Sequence, residues 1–330
     1  MEARRDRPRP GRAVRRGVAA AVALAVGALL AACTGGGSTP GSSAGASAGA
    51  SAPGATSPGA DSSGAGSVSR TERPPTRTEE YLPGLEADVW EPATPGPGPV
   101  VVLIPGGGWV SADRAGLAPL ASALSDAGMT VVSATYRTSS TDTYFPAPLE
   151  DVLCAVAFAA AVPTPTGDAP HPVVVVGHSA GANLAALAAL VPEDAAASCP
   201  YQAVAPDALV GLAGPYDVTA LPEVAISLFG ASAKDEPGRW KDGNPVAQAG
   251  NRADVPVLLL HGKDDPVVPV QFTTDFAAAL KDGGHQVARR RPLGDLPGRR
   301  RGGPDDHLDR RAALIGHRPN SRLACSSASA

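Results

Sequence analysis

From Glu80 onward, short apolar runs alternate with longer stretches of helical character. Val100 to Ile104, Thr130 to Ala134, Val173 to Val176, Ala208 to Leu212 and Val257 to Leu260 are mostly apolar and bounded by Gly, Pro or Asp. Short runs that are apolar at nearly every position, rather than at alternate ones, predict strands buried on both faces. Between them Leu117 to Ala127, Leu149 to Ala161, Asn183 to Val191 and Phe272 to Lys281 are long enough and alanine-rich enough to predict helices. Strand and helix in strict turn imply an α/β fold with a mostly parallel central sheet and helices on both faces, because parallel neighbours need a crossover connection. In such sheets ligands bind where loops leave the carboxyl ends of strands, so chemistry is expected just after each strand.

The N-terminal pattern is different. Arg4, Arg5, Arg7, Arg9, Arg12, Arg15 and Arg16 precede an apolar stretch, Gly17 to Ala32, and then Cys33. A basic start, a short apolar core and the small residues Ala31 and Ala32 predict a signal peptide over residues 1–32, the apolar run being short for a bilayer span. Leu30-Ala31-Ala32-Cys33 resembles the bacterial lipobox. The resemblance implies that Cys33 is lipidated and becomes the mature N-terminus, so that the exported protein is lipid-anchored to the outer face of the cell membrane. A retained membrane anchor with an incidental cysteine is the alternative, and Arg15-Arg16 leaves Sec and twin-arginine export both open. Residues 33–77 are nearly all Gly, Ser, Ala, Thr and Pro, a composition that buries no face and predicts a disordered tether. The enzyme-like body is therefore expected over residues 78–287.

Charge separates the pieces further. The chain carries −4 overall, yet residues 288–330 hold ten Arg against four Asp, so the body between leader and tail is acidic. An acidic body without a basic stripe excludes nucleic acid as the expected partner. Four cysteines are present. Beyond Cys33, export to an oxidising compartment leaves Cys154 and Cys199 as either a disulfide or two buried thiols. No cysteine spacing suits a metal, and none is expected.

The chemistry follows the predicted strands. After Val173 to Val176 comes Gly177-His178-Ser179-Ala180-Gly181 and then a helical run, the strand, tight turn and helix that a G-x-S-x-G nucleophile elbow requires. Glycines flank the serine because its strained turn leaves no room for side chains. A structural Gly-rich turn is the alternative reading of the pentapeptide. After Val100 to Ile104 comes Pro105-Gly106-Gly107-Gly108-Trp109, whose consecutive glycines let backbone N–H groups approach a developing oxyanion, with the Ala180 N–H as a further donor.

With these motifs the chain resembles the esterase and lipase branch of the α/β-hydrolase family that carries an HGGG-type oxyanion loop, a branch resembling hormone-sensitive lipase and including acetyl and feruloyl esterases. The resemblance runs from about Glu80 to Val287 and also covers Val131-Val132-Ser133-Ala134-Thr135-Tyr136-Arg137, Phe145-Pro146-Ala147-Pro148-Leu149-Glu150-Asp151-Val152, Gly214-Pro215-Tyr216-Asp217 and Asn244-Pro245. Pro105 stands where the family has histidine, which leaves the glycine N–H donors in place. The family pattern HG-x-x-D, matched by His261-Gly262-Lys263-Asp264-Asp265, implies Asp265 as the acid, with Asp264 as competitor and His261 as a structural residue at the strand end.

The resemblance implies a carboxylic-ester hydrolase acting on small or medium acyl esters through an acyl-enzyme. Ser179 attacks, Gly107, Gly108 and Ala180 hold the oxyanion, Asp265 orients the base, and no cofactor is needed. The base is expected one strand later, where Arg289-Arg290-Arg291-Pro292 replaces a β-branched run. His285 precedes that point, His307 follows it late and His317 later still, so His307 is named as base. The Arg-rich tail, residues 288–330, is expected to be disordered and not the native end of the fold, as after a reading-frame shift in a gene rich in G and C. A catalytically silent hydrolase fold and an amidase or peptidase are the alternatives. The substrate pocket is expected from Tyr136 to Phe145 and from Pro215 to Trp240.

Overall fold

The computed structural model describes residues 72–94, 98–163, 171–192 and 198–290, all within one packed unit. The leader with Cys33, most of the tether, and His307 and His317 in the tail lie outside the described residues.

Every strand expected from the apolar runs forms. In chain order the strands are β1 (Arg77–Leu82), β2 (Leu85–Trp90), β3 (Val100–Ile104), β4 (Thr130–Ala134), β5 (Val173–His178), β6 (Ala208–Leu212), β7 (Val257–Leu260) and β8 (Val287–Arg290). The helices are α1 (Ala118–Asp126), α2 (Ala147–Ala161), α3 (Ala180–Leu190), α4 (Pro222–Phe229), α5 (Pro237–Asp242) and α6 (Gln271–Asp282). The sheet runs β1-β2-β4-β3-β5-β6-β7-β8. β1 and β2 pair antiparallel, β2 meets β4 antiparallel, and from β4 onward every pairing is parallel. The β1–β2 hairpin escaped the sequence reading because it is an edge element whose apolar and polar residues mix, as its half-exposed β1 shows.

The reason for continuous apolar runs is visible in the burial. All residues of β3, β4, β6 and β7 are buried, as is every residue of α3, so side chains on both sheet faces and all around the central helix meet protein. Two apolar layers result, one on each face. Val102, Val132 and Val175 pack with α2 and α3, while Val101, Val131 and Val174 pack with α1.

Two expected boundaries move. The body begins before residue 78: the Arg73 backbone N–H donates to Ser122 Oγ (3.0 Å) and the Arg73 carbonyl accepts from Trp90 Nε1 (2.9 Å), which fixes a stretch assigned by composition to the tether. The body also continues past Val287, because Val287–Arg290 pairs parallel with β7 despite its arginines. Backbone pairing is indifferent to side-chain type at a sheet edge, which is why a run unlike a buried strand still extends the ladder.

Cys154, fully buried in α2, is joined to Cys199, with Cα atoms 5.6 Å apart. This closes a loop 45 residues long. Restricting the unfolded chain over such a loop stabilises the fold by roughly 4 kcal/mol on the chain-entropy account.

Candidate active site

Ser179 closes β5 and precedes α3, with φ 51° and ψ −124°. A non-glycine residue held at positive φ is strained, and the surroundings impose it: the Ser179 N–H donates to the Leu212 carbonyl (2.9 Å) and its carbonyl accepts from Ala182 N–H (2.8 Å). The glycines beside it are a packing requirement. A Cβ on Gly177 would sit 2.3 Å from the Gly181 carbonyl oxygen, and one on Gly181 would sit 2.2 Å from the Ile104 carbonyl oxygen. The elbow therefore folds tightly against the end of β3, the strand that carries the glycine run. Ser179 itself is half-buried.

The loop after β3 is built around left-handed backbone. Gly107, Gly108 and Trp109 have φ 133°, 61° and 59°. The Gly107 carbonyl accepts from both Val110 N–H (3.0 Å) and Ser111 N–H (3.1 Å), closing the turn. A Cβ on Gly106 would lie 2.9 Å from Ser179 Cβ, so this loop packs close against the Ser179 side chain. Two residues not singled out for this task hold it. Tyr136 Oη donates to the Pro105 carbonyl (3.0 Å), and Thr138 Oγ1 donates to the Val110 carbonyl (2.9 Å). In the sequence both fell in the segment from Tyr136 to Phe145 expected to border the substrate pocket, with no sign of this supporting contact.

Asp265 lies in the loop after β7, on the same carboxyl edge of the sheet. Its Oδ1 accepts from Val267 N–H (2.9 Å) and Val268 N–H (3.0 Å). Burial works against the charge, but those two N–H donors and the nearby His261 and His178 rings hold the carboxyl below its ordinary pKa. Asp264 is exposed.

The described imidazoles sort by place. His261 meets Thr273 Oγ1 at the start of α6 through Nδ1 (2.7 Å), and its Nε2 donates to the Val268 carbonyl (2.7 Å) while lying 3.5 Å from Asp265 Oδ2. His285 precedes β8 and faces the carbonyls of Asn251 (2.8 Å) and Val255 (3.3 Å), at the sheet edge opposite Ser179. His178 is the imidazole at the elbow. Its Nδ1 lies 3.1 Å from the point a Gly106 Cβ would occupy, and burial of its inner side keeps its pKa below the ordinary value against the opposing pull of Asp265. Among the described residues no group of His, Cys, Asp and Glu is placed to hold a metal.

The segments expected to form the pocket do pack on each other. Phe145 N–H donates to the Leu228 carbonyl (2.8 Å), and the Phe145 ring meets Phe229 edge to face while Phe229 stacks on Trp240. The cavity they border, about 660 Å³, is lined by Phe145, Leu149, Leu153 and Arg239 and reaches Val191, beyond the end of α3 remote from Ser179.

Comparison with known proteins gives this arrangement a context. A family model, BD-FAE, matches residues 87–280. The esterase LipQ of Mycobacterium tuberculosis is 33% identical over 213 residues, 60% of this chain and 50% of LipQ. The chain thus spans about half the length of the curated relatives it matches. A bifunctional GH43-CE protein of Bacteroides eggerthii superimposes with a TM-score of 0.53 at 26% identity, covering 63% of this chain and 30% of that one. Propionate-bound esterase Est2 of Thermogutta terrifontis shares the fold, with a TM-score of 0.52 at 23% identity over 62% of this chain and 77% of its own. The architecture is the α/β-hydrolase fold.

Proposed function

This chain belongs to the BD-FAE family, and on that premise we propose that it is a serine-dependent carboxylic-ester hydrolase. The observation that carries the reading is Ser179 held at φ 51° between β5 and α3, with the Gly106–Gly108 loop against its side chain. Ser179 Oγ adds to the ester carbonyl carbon and gives its proton to an imidazole. N–H groups of Gly107, Gly108 and Ala180 take up the charge on the carbonyl oxygen, Ala180 doing so at the first turn of α3, where the helix dipole favours an anion. The imidazole returns the proton to the departing alcohol, and water then repeats the sequence on the acyl-enzyme. Small or medium acyl groups are the proposed substrates, in keeping with the propionate bound by Est2. His307 is the proposed base. β8 ends at Arg290 on the edge of the sheet that carries Ser179 and Asp265, which is the edge from which a base is supplied.

A second reading, a catalytically impaired hydrolase, draws on the commitments of His261 and His285 to other partners. Asp265→Asn separates the two. With a seated base, the carboxylate holds the correct tautomer, and its loss lowers kcat by about 10⁴-fold at unchanged melting temperature. Because the Asp265 carboxyl ionises below its usual range, activity between pH 5 and 8 follows the imidazole alone and rises with pH. An Asp265→Asn variant with wild-type turnover supports the impaired reading.

Lipidation at Cys33 is proposed as the means of retention at the membrane. Cys33→Ser is expected to move the exported protein from the membrane pellet to the soluble fraction, and equal sedimentation of both forms argues against the anchor.

A further inference from the structure

Trp109 is a large side chain in a backbone conformation that large side chains rarely adopt. It is buried, and its φ of 59° follows directly on Gly108 at 61°. An L-residue is strained in this left-handed region, and a bulky one stays there only where its surroundings hold it. The hold is on its own carbonyl. Ser139, half-buried in the loop after β4, donates to the Trp109 oxygen twice, from its backbone N–H (3.0 Å) and from its Oγ (3.1 Å).

That carbonyl is tied to the glycine run through peptide geometry. A trans peptide is planar, with its C=O and N–H pointing to opposite sides, and every peptide from Gly107 to Val110 is trans. The peptide whose oxygen Ser139 holds therefore aims the Val110 N–H the other way, where it donates to the Gly107 carbonyl (3.0 Å). The Gly107 oxygen, held there by the Ser111 N–H as well (3.1 Å), turns the Gly108 N–H away from the turn. Among the described residues the Gly108 N–H enters no hydrogen bond. The donors run in one direction, from Ser139 to Trp109, from Val110 to Gly107, and from Gly108 to the oxygen that it is proposed to receive.

We infer that Ser139 is a positioning residue for ester hydrolysis, setting through two peptide planes the direction and the donor strength of the Gly108 N–H. This role rests on the oxyanion reading of Gly108 proposed above and names the side chain that fixes it. Direction matters because an oxyanion donor is effective when it is already aimed as charge develops. Strength follows because hydrogen bonds in a chain polarise one another in surroundings of low dielectric. Deleting an oxyanion donor outright lowers kcat by about 10²–10³-fold, and a side chain acting through two peptides is expected to have a smaller effect.

The experiment compares Ser139→Ala, which loses the Oγ donor and keeps the backbone one, with Ser139→Thr, which keeps both. For a short-acyl ester, Ser139→Ala is expected to lower kcat by at least about threefold with KM and melting temperature unchanged. A trifluoromethyl ketone, whose hemiketal oxygen would take the oxyanion's place, is expected to bind more weakly by the same factor. Ser139→Thr is expected to match wild type in each respect. A residue that only braced the loop would move KM or the melting temperature instead. A second readout needs no turnover: hydrogen exchange of the Val110 amide in the full chain is expected to quicken by at least about threefold in Ser139→Ala and not in Ser139→Thr. The inference is overturned by a loss of kcat below about threefold, by an equal loss in Ser139→Thr, or by Val110 exchange that Ser139→Ala leaves unchanged. A wild type inert toward esters sinks the serine-hydrolase reading instead, and Val110 exchange then still decides whether the Ser139 hydroxyl holds the turn.

Discussion

Ser179→Ala is expected to lower kcat for a short-acyl ester by about 10⁴-fold or more, with KM and melting temperature little changed. The hydroxyl is half-buried, and no described hydrogen bond of the fold uses it, so its removal costs chemistry and not structure. The size of the loss also reports on the base. Members of a triad act as a unit, so the serine matters in full only when an imidazole is in place to take its proton. Steady-state turnover of purified wild type and variant checks this, and a loss below about a hundredfold would show that the wild type already lacks a seated base.

Gly181→Ala is expected to lower stability strongly for so small a change. Its Cβ would lie 2.2 Å from the Ile104 carbonyl oxygen and 2.4 Å from that of Pro105, both backbone atoms fixed at the end of a fully buried strand. Neither can rotate away, so α3 or β3 must shift. Overpacking against backbone in a dense core costs about 3 kcal/mol, or roughly 6–12 °C in melting temperature for a domain of this size. The displacement falls on the loop carrying Gly107 and Gly108. Turnover should therefore fall even at temperatures where the variant stays folded. A thermal melt and turnover at low temperature check both parts, and a variant that melts and turns over like wild type would show that the elbow is looser than its contacts indicate.

The contrast between what could be read from the chain and what could not follows the physics of each element. β3, β4, β5, β6 and β7 were legible because strands buried on both faces need apolar residues at every position, a pattern few other elements share. Ser179 and the glycine run were legible because a strained elbow beside a close backbone leaves little choice of residue at Gly177 and Gly181. β1 and β8 were not, since edge strands are held by backbone pairing and tolerate residues such as Arg77 and Glu79, and β2, though paired on both sides, was hidden because Glu86 and Asp88 interrupt its apolar run. The short helices α4 and α5 hold themselves by a few anchors, Leu228, Phe229 and Trp240, too few to make a periodic pattern. Composition misassigned Arg73, whose contacts with Ser122 and Trp90 are made across the fold and leave no local trace. The pairing of Cys154 with Cys199 was open for the same reason, because only the fold brings α2 to the segment before β6.

The role of Ser179 as the reacting group is tested most directly by covalent labelling. A fluorophosphonate probe, followed by peptide mass mapping, is predicted to give one adduct on Ser179 that is lost in Ser179→Ala. A chain that takes up no probe, or a Ser179→Ala variant labelled as fully as wild type, would contradict the account.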